Sequence, residues 1–265
     1  MFSASQVCHY WRSVLTSSPF LWTHINCRRA PRTLASLERC KFLPIQLRLE
    51  SAFSATALKS VLLHGGKISS LTTTHQPWRI AFLRQIFSSS RHTLEQLHIC
   101  AERREVWGAG EDPVHNIWNH LPSLRELFVY QNPTPIGRLG APNIVHLAIE
   151  RVVHQRAVTI HAVLDTLRGC PLLETLLFSH SGVIPEASSP DCSSVSLSRL
   201  RNIELGEDEV HSGLITFLQL PQKIAVGFRM IQQKHLYNDT HPHSFPRFST
   251  FWKELTSAPS PSPLL

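Results

Sequence analysis

Apolar residues recur along most of this chain at positions one, four and six of a six-residue pattern. The five clear copies occupy residues 94–99, 124–129, 144–149, 173–178 and 200–205, with weaker copies at 44–49, 68–73 and 224–228. Counted from residues 44, 68, 94, 124, 144, 173 and 200, successive copies start 20 to 30 residues apart. Alternate strand residues face opposite sides, so positions four and six of each copy are predicted to enter one shared core.

The segments between these strands carry helical periodicity and frequently end in glycine or proline. Helices are predicted at 55–63, 78–87, 114–120, 159–168 and 210–218. The alternation resembles leucine-rich repeats, whose units of about 20–29 residues stack strand beside strand. The resemblance implies an α/β fold, an irregular leucine-rich-repeat solenoid with a parallel strand stack.

The array departs from the regular repeat at the turn that follows each strand. An asparagine three residues after the sixth position is present only at Asn132, and Asp208 is a polar substitute. Without a ladder of asparagines to satisfy backbone groups at these turns, we expect irregular repeats.

The first two dozen residues carry a different pattern. Val7, Trp11, Val14 and Leu15 have helical spacing on one apolar face, and Pro19 is predicted to stop that helix. A second apolar cluster is predicted to pack back on the helix, and it consists of Leu21, Trp22 and Ile25.

The string V-C-x-x-W-R, a short spacer, S-P and L-W resembles the second half of an F-box, through Val7, Trp11, Pro19, Leu21 and Trp22. The resemblance implies docking on the Skp-type adaptor of a cullin ubiquitin ligase. It also implies that the Leu-Pro-opened helices of the family, which form much of its docking surface, are missing, because only residues 1–6 precede Val7. Real shortening, a partial gene model and a fragment are all compatible with this gap.

Three regions follow from these patterns: a partial F-box-like helical segment at 1–26, a repeat array at 40–230, and a disordered Pro/Ser-rich tail at 238–265. Residues 184–198 are expected to form an extended return loop within the array. Within the tail, residues 245–255 contain enough aromatic residues for a short capping segment, which remains an open alternative.

Composition narrows the classes of partner. The chain has a formal net charge of +7, but its basic residues are spread out, whereas nucleic-acid binding needs a dense basic face. Its six cysteines are widely scattered, as expected for free thiols in a reducing compartment. No apolar run is long enough to cross a membrane and no signal peptide is evident, so we expect a cytosolic or nuclear protein.

No motif for catalysis or metal binding emerges from the residues that could provide one. The 16 histidines form no HExxH, and no nucleophile elbow or phosphate-binding loop occurs. We therefore expect no enzyme activity, no cofactor and no metal site.

The outward face of the strands is the remaining candidate surface. Between positions four and six it presents, among others, Arg48, His98, Phe128, Leu177 and Glu204. Phe128 and Leu177 would be either exposed anchors for a partner or residues covered by a return loop. The combined resemblance implies a substrate-recognition adaptor of a Skp/cullin/F-box ligase that binds an unknown protein substrate. The alternative is a repeat-type interaction scaffold that is not coupled to a ligase because its F-box is incomplete.

Overall fold

The computed structural model describes residues 8–50, 52–64, 67–75, 80–101, 121–130, 142–150, 158–179, 183–184, 193–206 and 213–229. The predictions for Val7, Asn132, the helix at 114–120 and the tail at 238–265 lie outside these ranges. Within the described residues the chain forms an α/β fold with a nine-stranded parallel sheet and five α-helices.

The strands of the large sheet follow one another in chain order, and every neighbouring pair is parallel. They are β1 (His24–Asn26), β2 (Ile45–Leu49), β3 (Ile68–His75), β4 (Gln96–Ala101), β5 (Glu126–Tyr130), β6 (His146–Glu150), β8 (Thr175–Ser179), β11 (Asn202–Gly206) and β13 (Ala225–Arg229). Two short pairs accompany the sheet: β7 (Val158–Thr159) with β9 (Val183–Ile184), and β10 (Val195–Ser196) with β12 (Leu218–Gln219).

The repeated apolar pattern determines the register of this sheet. Fourth-position residues of successive copies lie side by side across the strands and face one core. Each is at most 2% exposed, and burying a side chain of this kind contributes about 1.5–3 kcal/mol. The row consists of Ile25, Leu47, Leu71, Leu97, Leu127, Leu147, Leu176 and Ile203.

The five helices are α1 (His9–Ser17), α2 (Ala30–Cys40), α3 (Ala55–Leu63), α4 (Ile80–Ser89) and α5 (Ile160–Arg168). Ser54 caps α3 by accepting a hydrogen bond from the Ala57 N–H at 3.3 Å, and Thr159 caps α5 through the Ala162 N–H at 3.2 Å. The predicted helices at 55–63, 78–87 and 159–168 are thus confirmed to within two residues. Helices α2 to α5 bury their apolar faces in the same core cluster as the leucine row.

Tight turns lead into several strands. Backbone hydrogen bonds of 3.0–3.2 Å close the turns at 121–124, 170–173 and 197–200. Pro122 and Pro171 occupy the second position, where the fixed φ of proline suits a β-turn. Together with residues 90–94 and 142–144, we call these segments the leading turns.

Side chains of the leading turns also bind the turn or strand before them. Hydroxyl groups of Thr93 and Ser123 donate to the carbonyl oxygens of Ile68 at 3.1 Å and His92 at 2.8 Å. Asn143 Nδ2 donates to the carbonyl oxygen of Pro122 at 2.6 Å. These bonds satisfy backbone carbonyls at the start of β3 and within the leading turns.

Three features differ from the prediction. The sheet begins with β1 at His24, inside the segment expected to be helical, because Ile25 is drawn into the core beside Leu47. The sequence pattern gave no indication of α2. At 210–218 the described residues form only a 3-10 turn, Leu214–Phe217, followed by β12, since Leu218 joins a short strand pair.

Candidate protein-interaction surfaces

The N-terminal helix α1 is capped within itself but packs on little else. The thiol of Cys8 accepts a hydrogen bond from the Trp11 N–H at 3.5 Å, and Thr16 Oγ1 donates to the carbonyl oxygen of Arg12 at 2.8 Å. No residue of α1 is buried, and none of the extensive packing between described elements involves it. Local bonds and the chain that follows therefore account for its position.

That following chain is anchored firmly to the core. Pro19 opens a 3-10 turn, Pro19–Trp22, and Leu21 packs half-buried against the core cluster. Trp22 is 2% exposed, and its indole N–H donates to the carbonyl oxygen of Leu15 at 2.7 Å. The Arg39 guanidinium of α2 lies 4.3 Å from the centre of the Trp22 ring, in cation–π geometry. Trp22 thus connects α1, the 3-10 turn and α2.

The first part of the same motif presents aromatic rings to solvent. Tyr10 is 70% exposed, Trp11 53% and Phe20 73%, and the Tyr10 and Trp11 rings meet edge to face with centroids 6.0 Å apart. Of the predicted apolar face of this helix, Val14 and Leu15 are half-buried and Leu15 is bonded to Trp22, whereas Trp11 remains largely exposed. Trp11 lies one helical turn before Val14 and Leu15. Near Trp11, no described element contacts the helix extensively. We call Tyr10, Trp11 and Phe20 the N-terminal aromatic patch.

The predicted outward-face residues do lie in one row across the sheet. Arg48, Thr72, His98, Phe128, Ala148, Leu177 and Glu204 are in register on neighbouring strands. Phe128 and Leu177, however, are only 6% and 1% exposed, although neither belongs to the main core cluster. The prediction of exposed anchors is corrected by this burial, because the middle of this parallel sheet is covered on both faces.

An aromatic cluster occupies the middle of that face. The ring of His98 meets Phe128 edge to face with centroids 5.9 Å apart, and Phe128 stacks on Tyr130 at 6.2 Å. Burial lowers the pKa of His98 to about 4, so this imidazole is neutral at pH 7. His98 is therefore a packed residue rather than a charged contact for a partner.

The exposed polar part of the outward face lies on β1 and β2. Glu50 forms ion pairs with Arg28 Nε at 2.6 Å and Arg48 Nε at 3.1 Å, and it accepts a hydrogen bond from Asn26 Nδ2 at 3.0 Å. The side chains of Arg28 and Arg48 remain 50% and 43% exposed. Sequence reasoning found only Arg48, although Asn26, Arg28 and Glu50 each stand at or just beyond the end of a strand. At the other end of the row, Glu204 is half-buried and lies over Gly227.

No group of three or more His, Cys, Asp or Glu side chains among the described residues could hold a metal ion. Burial raises the pKa values of their interior thiols, to about 12 for Cys27, Cys100 and Cys170, which leaves these groups protonated and unreactive. No helix in the described part of the chain is long and apolar enough to span a membrane.

A polar groove of about 470 Å³ runs along the leading turns. Its walls carry charges of both signs, and the Glu174 and Arg201 side chains beside it form an ion pair at 3.7 Å. The charged residues of the lining are Glu95, Arg125, Glu174 and Arg199. Neighbouring opposite charges of this kind satisfy one another, so the groove selects no ligand of a single charge.

Comparisons with protein-family models, with curated proteins and with solved structures find no match to this chain. The class of protein is therefore defined by the fold alone: an α/β protein with a nine-stranded parallel sheet in chain order.

Proposed function

We propose that this chain is a substrate-recognition adaptor of a Skp/cullin/F-box-type ubiquitin ligase. In this proposal the residues from α1 to β1 form part of an F-box, and the large sheet is a leucine-rich-repeat-type array that binds a protein substrate. The chain holds two partners together, and ubiquitin transfer is performed by other subunits.

The observation that carries the proposal is the state of α1. Isolated helices shorter than about 12–15 residues are marginal in water, and most helices in proteins are stabilised by burying an apolar face. Helix α1 has nine residues and none of them is buried, yet Tyr10 and Trp11 extend from it into solvent. A partner surface over the N-terminal aromatic patch would supply the missing burial, and the F-box resemblance specifies a Skp-type adaptor as that partner.

The anchoring of Trp22 supports the same proposal. The indole bond to Leu15 and the contact with Arg39 hold the end of α1 against the folded core. A helix that is anchored at its C-terminal end and exposed to solvent at its N-terminal end can present an apolar surface in a fixed position. Aromatic side chains in such a position are frequent anchors of protein interfaces.

The substrate would bind on the accessible part of the outward face. Arg28 and Arg48 beside Glu50 offer partly exposed side chains there, and Phe128 and Leu177 take no direct part because they are buried. The proposal therefore assigns substrate recognition to the exposed polar part of the outward face, at β1 and β2.

The test measures binding of the purified full chain to a purified Skp-type adaptor. We expect Trp11→Ala to weaken binding by tenfold or more, because tenfold corresponds to about 1.4 kcal/mol and a Trp that anchors an interface commonly contributes about 2 kcal/mol or more. The matched control is Phe42→Ser, which removes an 83% exposed aromatic side chain outside the N-terminal aromatic patch and should leave affinity unchanged.

Two results would reject the proposal. The unsubstituted chain could fail to bind the adaptor, which would favour an interaction scaffold without a ligase. Alternatively, binding could be equally strong with Trp11→Ala and with Phe42→Ser, which would place any contact elsewhere.

A further inference from the structure

The last strand of the large sheet, β13, is an edge strand within the described part of the chain. It pairs with β11 on one side, and it ends the order of strands on the other. Val226 and Phe228 lie in register with Ile203 and Leu205, which are buried at 2% and 0%. Val226 itself is 42% exposed and Phe228 62%. Two large apolar side chains on the core side of this edge are therefore open to solvent.

An edge strand of this kind can pair with another strand through its outward backbone groups. The Ala225 N–H donates to the carbonyl oxygen of Arg201 at 2.8 Å, so Ala225 is bonded toward β11. Backbone groups alternate in direction along a strand, and those of Gly227 and Arg229 are thus directed toward β11 as well. The N–H and C=O groups of Val226 and Phe228 are directed to the open edge.

We propose that β13 pairs with β13 of a second copy of this chain, antiparallel about a two-fold axis at Gly227. This register pairs all five residues of each strand. Val226 of each copy exchanges both backbone bonds with Phe228 of the other, and these two residues have the backbone groups directed outward. Gly227 meets Gly227 as the pair without backbone bonds, in which the strands come closest.

The side chains are complementary in the same register. On the core side, Val226 of each copy lies opposite Phe228 of the other, so the two-fold axis gives two such pairs. Pairs of an aromatic and a β-branched side chain are favourable across strands. A self-complementary edge of this kind is what a two-fold interface requires.

The strand pair is short, so we expect a dimer in the micromolar range that dissociates on dilution. Sedimentation velocity of the full chain over a concentration series measures it. Replacing the exposed Phe228 changes both symmetric contacts at once, and Phe228→Glu should weaken dimerisation by roughly 100-fold or more. Leu34→Glu, at a 44% exposed position of α2, is the control and should dimerise like the parent.

A cross-link tests the register directly. A Cβ atom added at Gly227 would have Glu204 Cγ at 3.6 Å and the Ile203 carbonyl oxygen at 3.8 Å, both ordinary contacts, so Gly227→Cys fits the strand. Opposed residues at the axis lie about 4.5 Å apart at Cα, within the range of a disulfide. With the exposed Cys8 replaced by serine, Gly227→Cys should give a covalent dimer under mild oxidation. The Cys8→Ser parent should form much less covalent dimer. The same holds for Ser196→Cys in that parent, which introduces a thiol at an exposed position of β10.

A concentration-dependent dimer that is lost with Phe228→Glu and captured by Gly227→Cys supports the proposal. A chain that stays monomeric throughout overturns it, as does a dimer that persists with Phe228→Glu and is not captured by Gly227→Cys. Should Phe228→Glu fail to fold by circular dichroism, the cross-link decides. Adaptor binding is measured independently, so either proposal can fail while the other stands.

Discussion

Replacing Trp22 by alanine should destabilise the protein strongly, whereas the same change at Trp11 should not. Trp22 is 2% exposed, and an aromatic side chain of this size buries about 150–250 Å². At 25 cal/mol per Å² this amounts to about 4–6 kcal/mol, an upper bound because unfolded chains are partly compact. Loss of the indole bond to Leu15 adds about 1 kcal/mol. Measured Trp→Ala changes in cores cost about 3–5 kcal/mol, and we expect a value in that range.

Urea unfolding followed by far-ultraviolet circular dichroism is the assay. For a domain of this size, 4 kcal/mol also corresponds to a fall in melting temperature of roughly 8–16 °C. Trp11 is 53% exposed, and Trp11→Ala should alter stability by less than about 0.5 kcal/mol. Trp22→Phe keeps a buried aromatic ring but removes the indole N–H together with part of the ring, so its cost is an upper bound on the contribution of the hydrogen bond. The reasoning is refuted if Trp11→Ala is as destabilising as Trp22→Ala.

Three further predictions follow from the described contacts. Between pH 6.5 and about 4 the unfolded chain binds a proton at His98 and the folded chain does not. The free energy of unfolding should therefore decrease by roughly 3 kcal/mol in total as the pH is lowered through this range. His98→Gln should remove this contribution when urea unfolding is measured as a function of pH. Thiol reagents should modify Cys8 rapidly in the folded protein and should react with the interior thiols only after unfolding. The free energy of unfolding should decrease above about pH 9, because the thiols ionise in the unfolded chain and not in the folded one. Rapid labelling of Cys27, Cys100 or Cys170 in the folded protein, detected by peptide mapping, would contradict this prediction. Asn143→Ala should cost about 0.5–1.5 kcal/mol in urea unfolding through loss of the bond to the Pro122 carbonyl, and an unchanged midpoint would show that this bond contributes nothing.

Apart from β1, the strands of the large sheet were predictable because their signal is local and repeated. Residues such as Leu97, Leu127 and Leu147 recur at the same place in successive copies, and register in a sheet with a buried face follows the apolar pattern. The parallel order follows as well, since each strand is joined to the next by a connection long enough for a crossover. The α/β class and the parallel strands are therefore properties of spacing alone.

Burial on the outward face could not be predicted in the same way. Phe128 and Leu177 occupy the same position of the pattern as Arg48, so spacing assigns them one environment. Their actual exposure depends on what covers each strand, which is long-range information. Phe128 and Ala148 illustrate this, because both are buried at the centre of β5 and β6, where a simple alternation of core-facing and outward-facing positions predicts exposure.

The leading turns carried a sequence signal that the pattern analysis did not use. Thr93, Ser123 and Asn143 each stand immediately before the first apolar residue of a repeat, and each donates to the preceding turn or strand. A short polar side chain at that place satisfies a backbone carbonyl of the preceding segment. The polar residue before these three copies of the pattern therefore indicated the bonded turns found there.

The residues of the N-terminal motif fall into two groups: some are buried in the core, and others are exposed on α1 and the 3-10 turn. Trp22 and Ile25 belong to the core cluster that also contains Leu47 and the rest of the leucine row, so the end of the motif folds with the sheet. Trp11 is one residue of an exposed patch joined to that core through the Leu15–Trp22 hydrogen bond. Trp22→Phe removes this bond while keeping a smaller buried aromatic ring, so it should loosen α1 and weaken the binding of any partner that contacts Trp11 beyond the effect of its stability loss. Equal adaptor affinity of Trp22→Phe and the parent, measured well below the melting temperature, would show that α1 is positioned by something other than Trp22.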